Sequence, residues 1–210
     1  SRGELVRARD LWANLTTVAK RARDTRHEVR GRGGQFFNYV ALGLPDEAAA
    51  EAAAVGAALD DNPEMGLVED RLWHGIRAAQ ALVAGDWPVA RVAAHEQLAA
   101  IGRARFKFDL LEVFAGPADV LLTLAERGEA AADEAHQGYK VLNGYARTYA
   151  FAQPRALRCR GRLAWLAGQR DAAGKLWQKS VIRAEALGMS RERELTIATA
   201  ARSANIPARV

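Results

Sequence analysis

The chain has one cysteine, Cys159, so neither an internal disulfide nor a cysteine-rich metal site is open to it, a pattern that fits a reducing cytoplasm. β-Branched residues are also scarce. Val, Ile and Thr together number 26, against 45 Ala and 22 Leu, which favours helix and argues against a β-sandwich or barrel. Long apolar runs are missing, because the uncharged stretches are Ala-rich and broken by Gly or charge, and no transmembrane helix is expected. There is no initiator Met and no charged-then-apolar leader. The chain, residues 1–210, therefore reads as one domain excised from a larger protein.

Catalytic motifs are equally sparse. His27, His74, His95 and His136 stand alone, with no pair at i, i+4 on one helix and no metal-protease pattern, so no metal site is expected. Cys159 lies between Arg158 and Arg160, which would lower the pKa of an accessible thiol; the alternative is a small residue packed between helices. The cluster Gly31-Arg-Gly-Gly34 invites a phosphate loop but lacks the Lys-Ser/Thr ending and a preceding strand, and close helix packing accounts for it better. Trp73, Trp87, Phe36 and Phe114 fall on apolar helical faces and read as core. No nucleotide-hydrolysis motif occurs. The expectation is a non-enzymatic chain without cofactor.

What the sequence does have is hydrophobic content of 50%, ample for a core, and an uneven charge. Residues 1 to 34 carry +5 and residues 155 to 210 carry +8, leaving 35 to 154 at −8 within an overall +5. The acidic centre argues against a nucleic-acid coat, as does the lack of a recognition motif. Arginine dominates the basic residues, 25 against 5 lysines, a bias that codon usage explains as readily as bidentate anion contacts.

The most informative feature is a repeated stop and restart. Runs ending at Gly43, Gly85, Gly128 and Gly168 are each followed by an Ala-rich segment, at spacings of 42, 43 and 40 residues. A short connection between helices needs a residue able to take φ > 0, and Pro45 and Pro88 suit the first turn of the helix that follows. The pattern predicts helices over 3–23, 26–42, 46–60, 66–84, 88–103, 107–127, 129–148, 152–167, 170–187 and 190–204. Gly116-Pro117 is expected to kink or break the sixth. Self-similarity at this spacing marks stacked helical hairpins, each supplying the apolar surface its neighbour lacks. The first helix, 3–23, has no obvious partner upstream and is the expected place for artificial dimerisation.

In the last full unit, Ala173, Leu176, Trp177, Ser180, Ala184 and Leu187 form one helical face, opposite Leu157, Gly161, Ala164 and Gly168. Leu157, Gly161, Gly168, Ala173, Trp177 and Ser180 resemble the large, small, glycine, alanine, aromatic and small positions of a tetratricopeptide-type repeat. The earlier copies match less well, with Phe36 and Leu121 at the small position. From Gln153 to Met189 the chain is also similar to the C-terminal repeats of bacterial multidomain signalling ATPases fused to cyclase or kinase domains. The resemblance implies an all-α, right-handed superhelical array of antiparallel hairpins acting as a protein-interaction or regulatory module.

On the first helix of that unit Arg155, Arg158, Arg162 and Trp165 share one side, which the resemblance makes the concave groove. Three guanidiniums beside an indole suit an acidic peptide, a terminal carboxylate or a phosphate group. The alternatives are a solvated basic face, or salt bridges to the acidic middle of the chain. Arg30 holds the matching position in the first unit. The expected partners are a protein, an acidic peptide or another domain of the parent protein. A second possibility is a small-molecule effector held near Gly116-Pro117.

Overall fold

Each described residue with a positive φ stands just past the end of a helix. A computed structural model describes residues 2–102 and 111–204, and all regular structure among them is helical. The elements are α1 (Arg2–Ala22), α2 (Thr25–Leu42), α3 (Pro45–Asp60), α4 (Leu67–Ala84), α5 (Trp87–Gly102), α6 (Leu111–Arg127), α7 (Ala132–Thr148), α8 (Gln153–Leu166), α9 (Arg170–Ala186) and α10 (Ser190–Ala204), with a 3-10 turn at Ala150–Ala152 before α8. This is the all-α class and the ten helices that the periodicity predicts. Eight starts fall within one residue of expectation. The start expected at 107 lies outside the described residues. α7 begins at 132 rather than 129 because Glu134 Oε1 accepts the Ala131 N–H at 2.9 Å and fixes the first turn there.

The four turn glycines all have positive φ, from 74° at Gly43 to 83° at Gly128, and Gly188 at 65° is a fifth that the repeat did not include. Each closes its helix in the same way, with the next residue donating back to the helix, as Leu44 N–H does to the Tyr39 carbonyl at 3.0 Å and Met189 N–H to that of Ala184 at 2.8 Å. The end of α1 uses the same closure without glycine: Arg23 sits at φ 55° and Asp24 N–H donates to the Ala19 carbonyl at 2.9 Å.

The chain divides into two compact units, Ser1–Gly116 and Pro117–Val210. In the first, α1 packs on α2, α2 on α3 and α4, α3 on α4, and α4 on α5. In the second, α7 packs on α8, α8 on α9 and α10, and α9 on α10. Contact between sequential neighbours is the packing of helical repeats.

The glycine cluster is a packing device. Gly31, Gly33 and Gly34 are buried, and added Cβ atoms would strike Thr16, Leu72 and Trp12 respectively. Arg32, between them, is held by Glu28 at 2.9 Å and Glu51 at 2.8 Å rather than free for a phosphate. Phe36 and Phe114 are buried as expected, while Trp73 and Trp87 are half-buried, the Trp73 ring lying over Gly56.

Of the kink or break expected at Gly116-Pro117, the break does not occur: α6 continues through Pro117. Proline has no N–H, so the Val113 carbonyl loses its helical donor. Gln97 of α5, fully buried, supplies one: its Nε2 donates to the Val113 carbonyl at 3.1 Å and to that of Arg71 at 3.3 Å. The same residue lies against Gly116.

Candidate functional site

The second unit places the arginine stripe against carboxylates. α8 is fixed on α9 because Gly161 leaves room for the Trp177 indole, whose Nε1 donates to the Arg158 carbonyl at 3.3 Å. Ser180 of α9 adds a hydroxyl bridge, 2.7 Å from the Pro154 carbonyl and 2.9 Å from Thr196 Oγ1 of α10. Three helices thus share one buried polar link, and α8 can present its arginines in a fixed register.

Asp119 of α6 is the centre of the cluster. Its Oδ2 accepts from Arg155 Nε at 2.8 Å and lies 2.6 Å from Arg155 Nη2 and 3.8 Å from Arg158 Nη2. Arg162 Nη1 approaches Oδ1 at 3.4 Å. Burial by itself would raise this carboxyl, but the three guanidiniums outweigh it and hold the group well below the usual carboxylate range. Arg158 pairs in addition with Glu192 of α10 at 2.8 Å, both side chains being under 10% exposed. Arg162 forms a two-pronged pair with Glu126, Nε to Oε1 and Nη2 to Oε2, each 2.8 Å, and its Nη2 also reaches Thr123 Oγ1 at 3.0 Å. Burial would lower the Arg162 pKa, yet these carboxylates raise it, so the charge is permanent.

The arginine stripe is therefore paired within the protein, mostly with the acidic middle of the chain, and is not a solvated face. Arg30 lies in the first unit, where it pairs with the buried Glu69 at 3.2 Å. Trp165 stacks beneath Arg170, whose guanidinium carbon sits 3.6 Å from the ring centroid, and lies 5.6 Å from the Trp177 ring. Cys159 is buried and its Sγ lies 3.5 Å from Asp119 Oδ1. Burial, then the neighbouring carboxylate, pushes its thiol up to about 12, so the depressed pKa that its two arginine neighbours imply is reversed.

The cluster forms the floor of a groove of about 710 Å³ within the second unit. Arg155, Arg158 and Arg162 line it from α8, Arg170 from α9, Arg202 from α10 and Arg127 from α6. Asp119 and Glu126 are its acidic members, and Trp165, Leu166 and Leu195 its larger apolar ones. Arg202 is exposed and has no carboxylate partner among the described residues.

Sequence reasoning marked α8 and missed its counterparts. The missed signal is a matched spacing: Asp119 and Glu126 are seven residues apart on α6, as Arg155 and Arg162 are on α8, so two turns of acid face two turns of base. Arg170 and Arg202 carry no periodic signal. Among the described residues no group of three or more His, Cys, Asp or Glu is placed to hold a metal, and no helix is long and apolar enough to cross a membrane. No protein-family model matches the chain, and neither a curated protein nor a solved structure matches it significantly.

Proposed function

We propose that the chain is a non-enzymatic interaction module, a tetratricopeptide-like right-handed array that binds an acidic peptide segment of a partner, or of another domain of its parent signalling protein, in the groove of its second unit. The observation that carries this reading is the composition of that groove, six arginines against two carboxylates beside an apolar shelf. Such a surface attracts anions, and guanidiniums grip carboxylates with two parallel hydrogen bonds. The resemblance to signalling ATPases supports a cytoplasmic, regulatory setting, in which binding shifts a balance between two states of the parent.

The structure changes which residues test the idea. Reversing Arg155, Arg158 or Arg162 would break the internal pairs and the unit with them, whereas Arg202 is exposed and Arg170 is held by Trp165 rather than by a carboxylate. We expect fluorescein-labelled deca-glutamate to bind the 210-residue chain in an anisotropy titration, deca-glutamine not to bind, and Arg170→Glu and Arg202→Glu each to weaken binding about tenfold. Affinity should fall with added salt. Wild-type affinity in both variants would remove the groove from the account. A second reading, a small organic anion as effector, draws on the groove's size, which lies in the usual range for small-molecule sites.

A further inference from the structure

The three carboxylates around the stripe differ in a way that bears on the ligand. Glu192 is 8% exposed and ties α10 to α8, and Asp119, 23% exposed, is shared by three arginines. Glu126 is 35% exposed, stands one residue before the end of α6, and among the described residues pairs with Arg162 alone. That pair has the parallel two-bond geometry by which a guanidinium grips a separate carboxylate. If Glu126 swings out to water, Arg162 keeps Thr123 and Asp119, so neither partner is left buried without a counter-charge.

We propose that Glu126 is an internal stand-in for the ligand: a Glu or Asp side chain of the bound peptide displaces it from Arg162, takes the same two hydrogen bonds, and places the next apolar side chain of the peptide on the Trp165–Leu166 shelf. This rests on the groove reading above and adds the position, the competing group and the order of residues in the partner. The shelf follows Arg162 by one turn of α8, and Leu166 is 37% exposed, so a ligand carboxylate on Arg162 brings its neighbour over apolar surface. Arg170 and Arg202, on the same groove, accept further acidic residues. The partner is thus an acidic segment with an apolar residue next to an acidic one.

The test compares wild type, Glu126→Gln and Glu129→Gln, all in the 210-residue chain, binding a fluorescein-labelled peptide of alternating Glu and Leu, with thermal melts to verify folding. Glu129 follows Gly128, so its variant changes net charge equally without touching Arg162. Removing the competitor should tighten binding about fivefold in Glu126→Gln, with less than a twofold change in Glu129→Gln. Unchanged or weaker binding in Glu126→Gln, with wild type still binding, overturns the stand-in and leaves the groove reading intact. An equal gain in both variants also overturns it, since net charge alone then explains the effect. No binding by wild type or Glu126→Gln overturns both.

Discussion

The two units solve the same packing problem and then treat charge differently. Each sets a glycine beneath an indole to bring two helices close, Gly34 under Trp12 in the first and Gly161 under Trp177 in the second. In the first unit the ion pairs are dispersed: Arg32 with Glu28 and Glu51, Arg30 with Glu69, Arg77 with Glu96. In the second, three arginines converge on Asp119 and face a groove. The contrast teaches that a common repeat scaffold leaves the arrangement of charge free, and that the clustered arrangement makes one carboxylate structurally central.

The largest expected effect tests that centrality. Asp119→Asn removes the carboxylate that Arg155, Arg158 and Arg162 share, leaving Arg158 with Glu192 and Arg162 with Glu126, and should destabilise the second unit by about 3 kcal/mol, whereas Glu51→Gln, which leaves Arg32 with Glu28, should cost the first about 1 kcal/mol or less. Hydrogen exchange read separately for the two units distinguishes the effects. The pH dependence has a definite sign. Because the native carboxyl titrates below the ordinary 3.8, its contribution is complete above that value and is lost as pH falls through the native value. Asp119→Asn should flatten that part of the acid-unfolding curve, and an unchanged curve would show that other carboxylates set it.

A smaller effect tests what is common. Gly34→Ala and Gly161→Ala each drive a methyl into an indole and should cost about 2 kcal/mol by chemical denaturation. Gly138→Ala meets the backbone of Ala118, at 2.8 Å from its Cα, and should cost at least as much, since a main chain yields less than a side chain. A cost confined to one unit would mean that the shared device is not shared. A further small effect concerns the proline in α6. Gln97→Leu strips the Val113 carbonyl of its donor and should cost about 1 kcal/mol, and Pro117→Ala, which restores a helical N–H, should recover part of that loss in the double variant.

The helices were legible because their stops are covalent in origin: a residue that must take positive φ is most easily glycine, and glycine is visible in a sequence. Arg23 takes the same conformation and was invisible for the same reason. The face shared by Arg155, Arg158 and Arg162 was legible from helical geometry, with salt bridging to the acidic middle of the chain one of its alternatives. Its partners were not, because Asp119 and Glu126 lie 36 residues upstream of the arginines they hold, and which helix meets which is a property of the packed chain. The Cys159 thiol shows the cost of reading neighbours alone. Its flanking arginines are plain in the sequence, while the burial and the carboxylate that dominate come from elsewhere.

The Trp165–Trp177 pair has a consequence for observation. Two indoles 5.6 Å apart and tilted by 36° couple their excited states, and one of them carries a guanidinium on its face at the groove. The second unit therefore holds its own optical gauge: any occupant that moves Arg170 alters the near-ultraviolet circular dichroism and emission of the pair, without a label attached to either molecule.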